Sequence, residues 1–222
     1  MAGNSVVTAE TVFAITSAEL KTHLRIDGSD DDTYISSLVI AVHDWAKKYT
    51  QRSLTSQTLE LYIDSIYDTD VDIKDGYYMG IDQDISRRSI ILPQSPVASI
   101  THVKYFDDSD NESTFASSNY YLSNKSAPAK FVLRNGKSYP TGLRVSDALV
   151  IRYVAGYGNT SDVPMAIKQA CLAYGAYLFE HRGDGSDNLT VPYQASQLLQ
   201  PYVIRQFSTN PFKGTAHYGG MV

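Results

Sequence analysis

Thr16-Ser17-Ala18-Glu19-Leu20-Lys21-Thr22-His23-Leu24-Arg25-Ile26-Asp27 opens the stretch that decides the fold, and Gln57-Thr58-Leu59-Glu60-Leu61-Tyr62-Ile63 closes it. Thr16 and Glu19 fit a capping box, in which the threonine hydroxyl and the glutamate carboxylate satisfy orphan amides at a helix start. The pattern predicts a short helix over residues 17–24, broken at Gly28 and Ser29. Asp30, Asp31 and Asp32 then offer an N-cap, and negative charge where the dipole of a second helix favours it. Along that helix Ile35, Leu38, Val39, Val42, Trp45, Ala46 and Tyr49 recur at three- and four-residue spacing, a single apolar stripe over about four turns. Lys47, Lys48 and Arg52 close its C-terminal end with favourable charge. From residue 57 the period shortens to two, with Leu59, Leu61 and Ile63 alternating with Glu60 and Tyr62 as in a half-buried strand. The apolar residues here specify helices feeding a sheet and the polar ones act as caps, which points to a scaffold or interaction protein.

Further strands are expected over residues 89–92, 99–106, 120–123, 129–133 and 148–154, with a turn at Asp107-Asp108-Ser109-Asp110-Asn111. Residues 65–86 are polar and rich in aspartate, as in an extended loop or long hairpin tip. After Gly156-Tyr157-Gly158-Asn159, Asp162-Val163-Pro164 starts a helix whose stripe is Ile167, Ala170, Cys171, Tyr174, Tyr177, Leu178 and His181. Pro192 introduces a short helix over 193–199, Pro201 stops it, and the last twenty residues have the composition of an extended arm. The expected fold class is therefore α+β: an N-terminal segment at 1–15, a small helical bundle from both ends of the chain at 16–55 and 160–200, an inserted antiparallel β-region at 56–159, and an extended C-terminal arm at 201–222. The candidate bundle core is Ile35, Leu38, Val39, Val42, Trp45, Tyr49, Ile167, Cys171, Tyr174 and Leu178.

Composition narrows the functional classes. A chain of 222 residues that is 43% hydrophobic is globular and long enough for a sizeable core. Seventeen tyrosines against one tryptophan favour β-structure, and surfaces that bury a ring while its hydroxyl stays wet. A formal net charge of −5 argues against gripping nucleic acid by neutralising phosphates. Cys171 is the only cysteine, which rules out an intramolecular disulfide or a thiolate cluster and fits a small buried hydrophobe. Residues 1–14 lack the basic start and long apolar core of a signal peptide, and the apolar run at 38–42 is far shorter than the roughly 20 residues of a membrane span. A cytoplasmic protein with no membrane insertion is expected.

The chemical motifs fail at named residues. Asp68-Thr69-Asp70-Val71-Asp72 has the alternating carboxylates of a calcium loop, but Ile73 stands where glycine is needed and Met79 where a closing glutamate is needed. The five histidines never form the paired spacing of a zinc helix, and His43, beside Val42 and Trp45 in the apolar stripe, reads as a partly buried structural residue. No serine has a nucleophile-elbow context. Gly156-Tyr157-Gly158 lacks the third glycine of a dinucleotide loop and reads as a tight strand-to-helix turn. No catalytic residue, cofactor or metal ligand is expected.

Taken in order, these segments resemble the head-tail connector (adaptor) proteins of tailed bacteriophages and gene transfer agents. The resemblance rests on residues 20–27, the aspartate run, the helix end Tyr49-Thr50-Gln51-Arg52 and Gln57-Thr58-Leu59-Glu60-Leu61. It continues through Ile90-Ile91-Leu92-Pro93 with Pro96-Val97 and residues 100–105, through Val154-Ala155-Gly156-Tyr157-Gly158 with residues 163–170, and through residues 193–202. It spans roughly residues 16–205 and implies a non-enzymatic homo-oligomer, a ring typically of twelve subunits, made in the host cytoplasm and mounted in the virion neck. The implied partners are the portal protein, a stopper or tail-terminator protein, and double-stranded DNA passing through the channel without sequence-specific binding. Tyr202, Arg205, Phe207, Pro211 and Phe212 are the candidate portal-binding arm. Arg87, Arg88, Arg134, Arg144 and Arg152 are candidates for pairing with acidic neighbours across subunits. Two alternatives stay open: another neck or tail-completion (stopper-like) protein, and a small metal-dependent enzyme using the aspartate-rich loops.

Overall fold

The computed structural model describes residues 2–64, 73–74, 77–78, 88–183 and 190–204. In chain order the elements are β1 (Ala2–Thr8), α1 (Ser17–Leu24), α2 (Asp32–Thr50), β2 (Gln57–Ile63), β3 (Ile73–Lys74), β4 (Tyr77–Tyr78), β5 (Ser89–Leu92), β6 (Val97–Phe106), β7 (Glu112–Thr114), β8 (Tyr120–Ser123), β9 (Ala129–Leu133), β10 (Leu149–Ala155), α3 (Met165–Glu180) and α4 (Tyr193–Leu199). An antiparallel sheet has the order β1-β2-β10-β6-β7, a second the order β5-β9-β8, and β3 pairs with β4. The chain is α+β, as its hydrophobic periods require.

The alternation in β2 sets the register of the larger sheet. Leu59, Leu61 and Ile63 face Tyr153, Ile151 and Leu149 across the ladder, and all six enter one core with Leu92, Phe131 and Leu133 of the smaller sheet. On the other face Glu60 lies opposite Arg152, and their side chains pair at 2.6 Å. A one-residue slip would drive both charges into the core, so the register is held from both faces.

The helices form a second core. α2 and α3 run in opposite directions: Arg182, just past α3, meets Asp31 before α2 at 2.9 Å, while Tyr157, ahead of α3, bonds Leu54, beyond α2. α1 caps as its sequence demands, since the Glu19 amide donates to the Thr16 hydroxyl at 3.1 Å and the Thr16 amide to the Glu19 carboxylate at 2.7 Å. Leu20 of α1 sits over Gly175 of α3, where a Cβ would lie 3.1 Å from a leucine methyl. No described helix is long and apolar enough to cross a membrane.

Three expectations need correction. The N-terminal segment 1–15 is not separate: residues 2–8 are the edge strand β1, and Ala14 and Ile15 are buried in the helical core. Asp31 sits at the N-cap of α2 but makes no side-chain cap bond; it bridges to Arg182 instead, and Asp32 bridges to Lys21 at 2.6 Å. Residues 201–204 do not leave as an arm: Gln200–Tyr202 is a 3-10 turn, the Arg52 guanidinium donates to the Tyr202 carbonyl, and the Ile204 amide donates to the Thr50 carbonyl at 3.0 Å. β7 was not foreseen, because three polar residues carry no period. The acidic stretch at 65–86 lies outside the described residues except for β3 and β4.

The turn after β10 is the tightest constraint. Gly156 has φ +119°, and a Cβ there would lie 2.1 Å from the Thr55 carbonyl oxygen. Gly156→Ala should therefore cost about 3 kcal/mol or more in urea unfolding. Gly136→Ala, also at positive φ (+72°) but facing open space, should cost only about 1 kcal/mol.

Candidate functional site

The ten candidate core residues come together. Ile35, Leu38, Val39, Val42, Ile167 and Cys171 are buried in the helical core, and Trp45, Tyr49, Tyr174 and Leu178 pack against it half-buried. The Trp45 ring lies 4.7 Å from that of Tyr174 and 5.7 Å from that of Tyr49. The Cys171 thiol is pushed up to about 12 by burial, with its sulfur 3.8 Å from the Val42 carbonyl, and so it has no nucleophilic role. Lys168, buried on α3, reaches Glu19 at 2.9 Å, so the carboxylate that completes the α1 cap also ties α1 to α3. Burial pushes the Glu19 carboxyl upward, but Lys168 and the Thr16 bonds outweigh it and hold the group below its ordinary range.

A polar joint connects the helical core to the sheets. His43 is fully buried: its Nδ1 accepts the Ala14 amide at 3.0 Å, and its Nε2 lies 3.3 Å from the Glu10 carboxylate. An acceptor at Nδ1 requires the neutral tautomer with the proton on Nε2. Lys47 Nζ reaches Glu10 at 2.6 Å and the Gln57 amide oxygen at 3.1 Å; Gln57 in turn donates to Gln94 at 2.9 Å and to Ser53. The chain His43–Glu10–Lys47–Gln57–Gln94 thus runs from α2 through the start of β2 to the loop before β6. Thr55 and Thr160 hydroxyls donate to the Val12 and Phe13 carbonyls, each at 2.7 Å, pinning the N-terminal segment at the same seam. Sequence reasoning missed this joint, because its members are polar residues scattered from Glu10 to Gln94 with no shared period.

The joint does not read as a metal centre. Glu10, His43 and Asp44 place ligand atoms within 4.8 Å of one another, but Nδ1 of His43 is already used and the Lys47 ammonium supplies the cation beside Glu10. Burial pushes the Glu10 carboxyl upward, and the Lys47 bond with the neighbouring charges outweighs it, leaving the group below its ordinary value. At the β6–β7 turn, Asp107 accepts the Ser109 and Asn111 amides at 2.9 and 2.8 Å, as a hairpin turn requires. The calcium-like run 68–72 lies outside the described residues.

The remaining candidates are partly placed. Tyr202 packs half-buried against the helical core, whereas Arg205, Phe207, Pro211 and Phe212 lie outside the described residues. Arg144 pairs with Asp110 at 3.3 Å and stacks on Phe106 at 3.9 Å, and Arg152 pairs with Glu60, so both have partners within the chain. Arg134 lies over Tyr121, Arg88 reaches Asn135 at 3.4 Å, and Arg87 lies outside the described residues.

Burial holds the His43 imidazole below its ordinary value of 6.5, against the opposing pull of Glu10. An unfolded chain takes up this proton as pH falls through 6.5 while the folded one resists, so the stability is present above that value and is lost below it. Urea midpoints should fall between about pH 7 and pH 5.5, and His43→Gln should flatten the slope across that window. An unchanged slope would show that His43 is not the titrating group.

Residues 15–91 match the family model of the phage gp6-like head-tail connector proteins, which bears out the resemblance read from the sequence. A chain of the neck of an empty gene transfer agent particle, computed with C6 symmetry, is 22% identical with a TM-score of 0.71, covering 94% of this chain and all of its own length. A chain of the neck of the native particle, computed with C12 symmetry, is 22% identical with a TM-score of 0.68 over the same shares. A chain of the virion of the native particle is 23% identical with a TM-score of 0.67, covering 92% of this chain and 97% of its own. These likenesses establish a shared fold. No curated protein matches the chain significantly.

Proposed function

We propose that this protein is a structural head-tail connector (adaptor): one subunit of a ring in the virion neck, beneath the portal, linking a DNA-filled capsid to its tail. The observation that carries the reading is that a connector family match over α1, α2 and β2 coincides with a neck-protein fold over 94% of the chain. The necks computed with C6 and C12 symmetry in which that fold occurs support a ring, and the proposed ring has twelve subunits.

The chemistry of the subunit agrees with a scaffold. Its buried charged groups are spent on holding parts together, as Lys168 does for α1 and α3 and Lys47 does for the joint. The Cys171 thiol is inert, and the His43 imidazole is bonded at both nitrogens. A subunit of net charge −5, repeated around a ring, would let DNA slide rather than stick where acidic groups line the channel. The tail after residue 204 is assigned to the portal, its aromatic residues offsetting the cost of ordering on binding.

The test is assembly. Co-expressed with the portal of its own particle, the protein should form a stoichiometric complex by native mass spectrometry, and deletion of residues 206–222 should weaken that complex at least about tenfold. Binding to a tail-side component but not to the portal would instead identify a stopper-like protein. Stoichiometric metal by elemental analysis, together with turnover, would favour the enzyme reading.

A further inference from the structure

β1 differs from the strands it joins in what it buries. β2, β6 and β10 each send residues into the sheet core, and β7 is followed at once by the buried Phe115. None of the described β1 side chains does so: residues 4–8 are all exposed, Val6 at 51% and Val7 at 41%. β1 is therefore held mainly by its main-chain ladder to β2, and among its described side chains Asn4 accepts a hydrogen bond from the Tyr153 hydroxyl at 3.4 Å. The ladder itself shifts register between Val6 and Thr8.

Immediately after the strand the attachment changes character. Glu10 is bonded to Lys47, the Val12 and Phe13 carbonyls accept the Thr55 and Thr160 hydroxyls, the Ala14 amide is taken by His43, and Ala14 and Ile15 are buried. A weakly held strand thus adjoins a firmly fixed segment, with the boundary at residues 8–9.

We propose that β1 is a strap that opens independently of the rest of the fold: it swings off β2 about residues 8–9 while residues 10–16 stay seated, uncovering the main-chain edge of β2. Closed, the strap covers an apolar strand that would otherwise offer its hydrogen-bonding edge to any extended chain. Open, it makes that edge accessible without disturbing either core, because no core residue leaves with it. Opening free energies differ between the parts of a fold according to what each part buries, and β1 lies at the low end.

Amide hydrogen exchange of the full chain, read residue by residue by NMR, tests this. The β1 amides that donate to β2 should exchange at least about 100-fold faster than the ladder amides of β10, while the Ala14 amide stays protected with the helical core. A disulfide between Gly3→Cys and Tyr62→Cys, which face each other in the ladder, should raise β1 protection towards that of β2, and reduction should reverse it. Exchange of β1 in step with β10 in the native chain would overturn the proposal, as would joint loss of protection at Ala14. Should the double variant fail to fold, the exchange of the native chain decides alone.

Discussion

The structure depends on the seam where residues 52–57 pass from helix to strand. Ser53 donates its amide to the Gln94 carbonyl, Ser56 donates to the Gly158 carbonyl at 2.9 Å, and the Thr55 carbonyl lies so close to Gly156 that no other residue fits there. The buried Gln57 and Ser53 side chains and the half-buried Gln94 bond to one another at the same place. A polar group removed from water must find a partner, so each of these residues fixes the position of another. Among the described residues, this seam and the Glu10–Lys47–Gln57 bonds beside it tie the two hydrophobic cores into one body.

Much of the fold was legible because the hydrophobic periods are strong where the elements are long. The α2 stripe and the β2 alternation fix helix, strand and facing, and the α1 capping box and the α4 boundaries agree with the structure residue for residue. What escaped is what carries no period. β1 buries none of its described side chains, so its valines gave no core signal, and its pairing with β2 is a main-chain event that sequence pattern does not encode. Likewise the aspartates before α2 read as a cap by type and position, yet Arg182, 151 residues downstream of Asp31, takes the carboxylate. A local rule lost there to a long-range charge.

The candidate site was legible in outline and hidden in mechanism. That the stripes of α2 and α3 would meet was readable from spacing, and Trp45 against Tyr174 is the result. That His43 would be neutral and bonded at both nitrogens was not, because its partners sit on a segment with no pattern of its own. The scaffold reading is consistent with this: among the described residues, Lys168, Glu60 and Glu10 each hold two parts of the chain together.

The way the β-region is inserted has a consequence for how such a chain can change. The segment between α2 and α3 leaves and returns through adjacent residues, since Leu54 and Ser56 on the way out bond Tyr157 and Gly158 on the way back. Between those stitches lie some hundred residues, and the described turn at Asp107–Asn111 is closed by its own bonds and by Gly142 of the same β-region. Length added or removed at that turn leaves the helical layer where it is. The fold is in that sense a clamp with an interchangeable jaw: the helices and the seam are fixed by their buried contacts, while the described turn at Asp107–Asn111 is closed by its own hydrogen bonds.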